Sequence, residues 1–217
     1  MYLMTQTRAA GISAKQLERM LGVTYKTAWR IAKQIRMLMA ETNPTLLTGE
    51  VEIDETFVGG KGKSRAYSWT QGIDNKEVVM GMVQREGKAY LKHIPNSGKW
   101  TLLQQIKKYV DPKAHVITDE FPAYKNLMVY GYNHDSVNHG DRQYVSGKIH
   151  TQSIENIWSH LKRGIYGVYR VVSKKYLQAY VDEFVWRYNN RFNSGEMFNN
   201  LLKQVAEVKL LKFGQIV

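Results

Sequence analysis

Cysteine is missing from this chain altogether, which excludes disulfides and thiolate metal sites and fits a reducing compartment. Long apolar runs are missing too. No stretch nears the ~18–20 apolar residues of a membrane span, and the opening MYLMTQTRAA has no signal-peptide apolar core. The expected location is therefore cytoplasmic, with no membrane partner. No internal repeat or low-complexity segment is present. Acidic residues are scarce beside basic ones, 19 against 31, leaving a formal net charge of +12. What the chain does have is a hydrophobic fraction of 43% over 217 residues, ordinary for a folded protein and enough for one good core plus a small appended module.

The charge is unevenly spread. Residues 1–49 carry 7 Lys/Arg against 2 Asp/Glu, residues 50–135 carry 12 against 11, and residues 136–217 carry 12 against 6. The segments are therefore +5, +1 and +6. Basic flanks around a near-neutral middle suit a polyanion gripped from both sides, with nucleic acid the expected partner.

Residues 11–40 read as two helices with a tight joint. Ser13 N-caps the first, AKQLERML, and Gly22 ends it where a left-handed residue is needed. Thr24 caps the second, YKTAWRIAKQIRMLM, in which Ala28, Ile31, Ala32, Ile35 and Leu38 share one stripe. Tyr25, Lys26, Thr27, Arg30 and Lys33 lie away from that stripe. Helix, glycine turn and helix make a helix-turn-helix, and those polar residues occupy the positions a recognition helix uses on duplex DNA. The plainer reading is a helical hairpin with a solvated charged face.

Asn43-Pro44 opens a linker over 43–49. In GEVEIDETFVG, Val51, Ile53 and Phe57 alternate with Glu52, Asp54 and Thr56, predicting a strand. A Gly- and Lys-rich loop follows, containing Gly59–Lys63. It lacks the G-x-x-x-x-G-K-[ST] spacing, so it predicts no nucleotide site. Residues 77–84 and 89–94 predict a hairpin across Arg85–Lys88, and 99–109 a helix. A short buried strand, 115–118, ends at Asp119; a short helix is expected over 122–128 and a further strand near 135–138. From Ser153 the pattern turns helical, with Ile154, Ile157, Trp158, Leu161 and Ile165 in one stripe. Further helices are expected over roughly 174–192 and 196–211, their aromatics (Tyr176, Tyr180, Phe184, Trp186, Tyr188) serving as core and rim packing.

Three acids stand out in this frame: Asp54 within a strand, Asp119 at the end of another, and Glu155 at the start of a helix. Carboxylates brought together from separate elements suit a two-metal phosphoryl-transfer site, because Mg²⁺ takes hard oxygen ligands and is held by few carboxylates plus phosphate. Lys162 follows Glu155 at i+7, within about 20° of the same helical line and about 10 Å along the axis. One can hold metal while the other holds a phosphate further along the strand. Arg163 and Arg170 extend the basic surface, and His139, His150 and His160 sit nearby in sequence. Each acid also has a bland explanation. Asp119 could N-cap the following helix and Glu155 could complement a helix dipole, whereas Asp is depleted in strands and Asp54 has no such excuse.

With these residues in view, the chain resembles insertion-sequence DDE transposases of the ISXO-type branch. The resemblance rests on GISAKQLERMLGVTYKTAWRIAKQIR, VEIDETFVGGK, ITDEFPAY, HTQSIENIWSHLKRGIYGVYR and YLQAYVDEFVWRYNNR. It implies a mixed α/β, ribonuclease H-like catalytic domain built on a five-stranded mixed sheet. The helix-turn-helix would occupy 1–42, the linker 43–49 and the catalytic domain 50–172, with helices over 173–217 packing on that domain. It further implies Mg²⁺ or Mn²⁺, two ions, held by Asp54, Asp119 and Glu155, with Lys162 as the basic residue beside them.

The implied activity is metal-dependent cleavage and strand transfer of duplex DNA, at transposon ends and target, by a nucleoid-associated homo-oligomer. Lys26, Thr27, Arg30, Lys33, Lys162 and Arg163 would contact the DNA. Asn156 is a lesser candidate for the third ligand, and Glu55 and Glu120 would at most support the aspartates. Members usually begin with a zinc ribbon, but this chain has no Cys, so no zinc is expected and a truncated or internal start is. Two other readings stay open: a non-catalytic helix-turn-helix DNA-binding regulator, and a ribonuclease H-like nuclease without strand transfer.

Overall fold

Val51 and Ile53 alternate with Glu52 and Asp54 along a nine-residue strand, β1 (Glu50–Val58), which becomes the middle of a five-stranded sheet. The computed structural model describes residues 1–7, 11–59, 76–137 and 151–207. The Gly60–Lys63 part of the glycine-rich loop, His139 and His150 lie outside them. The chain divides into two compact units, Asn43–Lys162 on one side and Met1–Thr42 with Arg163–Val217 on the other.

In the first of these units, β2 (Glu77–Gln84) pairs antiparallel with β1, and β3 (Ala89–Ile94) antiparallel with β2. The hairpin turns where expected, with Glu86 in the left-handed region at φ 55° before Gly87. On the other side of β1, β4 (His115–Asp119) and β5 (Asn133–Val137) add in parallel. The order β3-β2-β1-β4-β5, three antiparallel strands followed by two parallel ones, is the mixed ribonuclease H-like sheet. A helix, α4 (Lys99–Tyr109), carries the chain from β3 to β4.

One face of the sheet packs Val51, Ile53, Met80 and Met82 against Leu102 and Ile106 of α4 and against Tyr124 and Leu127. The opposite face of β1 meets α5 (Gln152–Gly164), whose Ile154, Ile157, Trp158 and Leu161 are all buried. The helix expected over 122–128 is two 3₁₀ turns, Pro122–Tyr124 and Met128–Tyr130. Their bonds close over three residues, as Leu127 N–H to Tyr124 O and Tyr130 N–H to Leu127 O, and Gly131 at φ 89° ends them.

The other unit holds α1 (Tyr2–Gln6), α2 (Ala14–Leu21), α3 (Tyr25–Leu38), α6 (Lys174–Asn189) and α7 (Met197–Glu207). The caps are those the sequence calls for. Ser13 Oγ accepts from Gln16 N–H, Thr24 Oγ1 accepts from Thr27 N–H, and Gly22 ends α2 at φ 65°. Leu17, Ala28, Ala32 and Ile35 pack with Trp186, Met197 and Leu201.

Beneath them lies a buried charge cluster. Arg36 Nε donates to Glu183 Oε2 at 2.6 Å, Arg187 donates to the other Glu183 oxygen, and the Tyr169 hydroxyl donates to Oε2 at 3.0 Å. The Arg36 guanidinium also lies 4.0 Å from the Tyr180 ring centroid. Tyr180 thus packs as expected, and Phe184 and Trp186 are buried. The division between the units falls at Lys162/Arg163, inside α5, and α6 and α7 share their unit with α1–α3.

Candidate active site

Three acids anticipated from sequence stand on three elements of this frame: Asp54 in the middle of β1, Asp119 as the last residue of β4, and Glu155 in the first turn of α5. The β1–β4 ladder ends at Glu52↔Ile117, so Asp54 and Asp119 each lie two residues beyond it on neighbouring parallel strands. Equal steps preserve side-chain parity, which puts both on one face.

Asp54 is the most constrained of the trio. Its Oδ2 accepts the indole N–H of Trp158 at 2.8 Å. Burial raises its pKa, the Trp158 and backbone hydrogen bonds oppose that shift, and the charges of Asp119 and Glu155 add to it. Asp119 and Glu155 are thus each near enough to Asp54 for their charges to act on it. Asp119 Oδ1 accepts from Phe121 N–H at 3.0 Å, a local turn bond and not a helix cap. Glu155 Oε1 accepts from the Thr151 hydroxyl at 3.4 Å. Asn156, beside it, is exposed, as is Glu120.

The donor set is hard carboxylate oxygen, the chemistry that Mg²⁺ or Mn²⁺ takes. Among the described residues, though, no three Asp, Glu or His side chains are gathered closely enough to hold an ion between them. Lys162 keeps its expected helical phase, because α5 is helical from Glu155 through Lys162 to Arg163.

Two supports escaped the sequence reading. Glu52, fully buried, accepts the Ile154 N–H at 3.0 Å with one oxygen and Arg85 Nε at 2.8 Å with the other. It therefore ties the first turn of α5, where Glu155 sits, to the strand that carries Asp54. The only available signal was parity: Glu52 shares the Asp54 face of β1. Trp158 was placed in the apolar stripe, and its polar handle was missed. That indole lies over Gly81, the residue opposite Asp54 in β2. A Cβ built on Gly81 would sit 2.6 Å from Trp158 Cη2, so glycine is what lets the ring reach the carboxylate.

Glu55 points to the other face of β1. Its carboxyl is pushed up to about 8 by burial, with the nearby Tyr124 hydroxyl lowering it and Asp54 and Asp119 raising it.

On α3, Lys26 and Thr27 are exposed and Arg30 half-buried. Lys33 Nζ lies 5.6 Å from the Trp29 ring centroid and 5.3 Å from that of Tyr176. Its ammonium therefore sits on aromatic faces beside the helix instead of projecting freely.

A family model described as an ISXO2-like transposase domain matches residues 46–189. The chain belongs to that family. The matched span of the ISXO2-like domain includes the whole sheet, all three acids and α6. A protein of the transposable element ISH50 from Halobacterium salinarum is 28% identical, over 81% of this chain. The chain spans 64% of the length of that relative.

Among solved structures, the HTLV-2 integrase catalytic core domain in complex with magnesium is 14% identical, with a TM-score of 0.39 over 67% of this chain and 87% of that one. The pre-cleavage Mos1 transpososome is 13% identical, with a TM-score of 0.36 over 92% of this chain and 75% of that one. These likenesses are distant. The fold rests on the sheet order and on membership of the ISXO2-like family.

Proposed function

We propose that this chain cleaves duplex DNA at the ends of an insertion sequence and joins those ends to a target, with Asp54, Asp119 and Glu155 as its metal-binding catalytic residues. The observation that carries this reading is that Asp119 on β4 and Glu155 on α5 each lie within electrostatic reach of Asp54 on β1, in a chain of the ISXO2-like transposase family.

Bound Mg²⁺ or Mn²⁺, two ions, would polarise the scissile phosphodiester and ease deprotonation of the attacking oxygen. The remaining work belongs to side chains of this chain. Asp54, fixed by Trp158, and Asp119, fixed by its turn, present carboxylate oxygens from rigid strands. Glu155 presents a third from a helix whose first turn Glu52 anchors. Lys162 and Arg163 hold phosphates further along the DNA, and Lys26, Thr27, Arg30 and Lys33 contact duplex from α3. In the first step a water oxygen bonds to phosphorus and the P–O3′ bond breaks; of the two water protons one ends on the leaving O3′, giving a free 3′-OH, and the other passes to solvent. In the second, that 3′-OH attacks a target phosphodiester and a target 3′-OH leaves. The working form is a homo-oligomer on DNA, nucleoid-associated in the cytoplasm.

Purified chain should nick and join DNA carrying the element ends only with Mg²⁺ or Mn²⁺. Asp54→Ala and Asp119→Ala should each abolish both steps and leave duplex binding within about twofold, since they remove no DNA-facing cation. Full activity in both variants would sink the proposal. Binding without strand breaks under every metal condition would favour a regulator, and hydrolysis without joining would favour a plain nuclease.

A further inference from the structure

Trp100 is 66% exposed, on α4, which carries none of the residues assigned above. A single exposed aromatic needs no reason, but this one is not isolated. Its ring meets Tyr130 edge-on at 6.3 Å. Lys99 Nζ lies 5.5 Å from the Trp100 centroid and 5.4 Å from that of Tyr130, and Lys107 Nζ lies 5.3 Å from Tyr130. Tyr130 is thus flanked by two ammonium groups eight residues apart on one face of α4. The adjoining Met128 and Val129 are 63% and 81% exposed.

Neither α4 nor the segment 121–131 contains a carboxylate, and the latter adds Lys125. The first turn of α4 has no acidic residue and no side-chain cap. Since α4 packs on the sheet face away from Glu52 and Asp54, the patch is not an extension of the acidic trio.

We propose that this face of α4, with the turn Met128–Tyr130, binds a single strand of DNA, its phosphates on Lys99 and Lys107 and an unpaired base on Trp100. Cations beside an open aromatic face and without neighbouring acids match a chain of phosphates and flat bases. A duplex hides its base faces in the stack, so only an unpaired base can lie on the indole. A second copy of this chain docked patch to patch would set Lys99 and Lys107 of one copy against those of the other, which disfavours that occupant. The inference rests on the DNA-processing reading above for its biological setting, though not for its chemistry.

The test is fluorescence anisotropy of the full chain with a labelled oligothymidylate of about 20 nucleotides, a length that exceeds one stacking site, in EDTA. Trp100→Ala should weaken binding about tenfold. Lys99→Ala/Lys107→Ala should weaken it similarly and flatten the dependence of log affinity on log salt by one to two charges, about 0.7 per phosphate lost. Duplex binding should change little in both, whereas Lys26→Ala/Arg30→Ala should weaken duplex binding and spare the single strand. Circular dichroism and thermal unfolding check that the variants fold.

Unchanged single-strand affinity in the Trp100 and lysine variants overturns the proposal. Loss with the lysines alone overturns the stacking and, with it, the single strand. If Trp100→Ala instead converts a dimer to a monomer by sedimentation with DNA affinity unchanged, the face joins copies of the chain and the proposal fails. Because no cleavage is read, failure of the Asp54→Ala test leaves this result untouched, and the reverse holds.

Discussion

One hydrogen bond of 2.8 Å joins Trp158 to Asp54, so the apolar stripe of α5 also orients the carboxylate on β1. Trp158→Phe keeps a ring in the site and removes the donor. The bond should be worth about 1.5–3 kcal/mol to the ionised carboxylate. The variant is expected to need several-fold more Mg²⁺ for half-maximal DNA cleavage. A metal titration of wild type and variant at one pH checks this, and superimposable curves would show that the bond does not position Asp54.

Gly81→Ala should be felt through the same contact. The added methyl would meet Trp158 at 2.6 and 2.8 Å and Ile154 at 3.0 Å, and the ring is a rigid neighbour. Overpacking of this kind costs about 1–3 kcal/mol. Urea unfolding should show a lower midpoint with an unchanged slope, together with altered Trp fluorescence. A variant as stable as wild type would mean that α5 shifts freely on the sheet.

Glu55 gives the metal-free chain a pH dependence. Its carboxyl is raised from 4.5 to about 8 in the folded state, so between those values the folded chain holds a proton that the unfolded chain has released. Stability from this group is therefore full below about pH 4.5 and falls as pH rises to 8, by at most about 1.4 kcal/mol per pH unit. Glu55→Gln keeps the shape without the charge and should flatten that slope. The check is urea unfolding in EDTA across pH 6 to 8, read relative to the midpoint near 8. Parallel slopes in the two proteins would refute the assignment.

Glu183→Gln should be among the most damaging single changes in the helical unit. It leaves Arg36 and Arg187, both nearly inaccessible, without their shared counter-charge. Removing one member of a buried pair costs about 3–5 kcal/mol. Tyr169→Phe removes one neutral donor to the same carboxylate and should cost about 1 kcal/mol. Chemical denaturation ranks the two, and equal effects would mean that the charge pairing contributes little.

Much of the frame could be read from the residues. Turn signals on both sides of 77–84, 89–94 and 99–109 bound those elements, and side-chain chemistry fixed the caps at Ser13, Thr24 and Gly22. The order of the acids along the chain was legible because Asp54 falls in phase within one periodic segment, Asp119 ends another and Glu155 opens a third. Pairing order was not, since nothing local says that β1 takes β2 on one side and β4 on the other. The burial of Glu52 was hidden for a different reason. A carboxylate is sealed from water only when partners distant in sequence, here Arg85 and the Ile154 amide, converge on it.

Along β1, positions 50, 52, 54 and 55 are all acidic. A slip of one residue would therefore still present a carboxylate, Glu55, where Asp54 now stands. The charge at that one position does not tell those two arrangements apart. The discrimination comes from its neighbours: Glu52, which would leave its pairing with Arg85, Val51 and Ile53, which would have to leave the core, and Gly81, whose missing side chain makes room for one indole at one place. One acid keeps its place here because the residues around it have only one place to go.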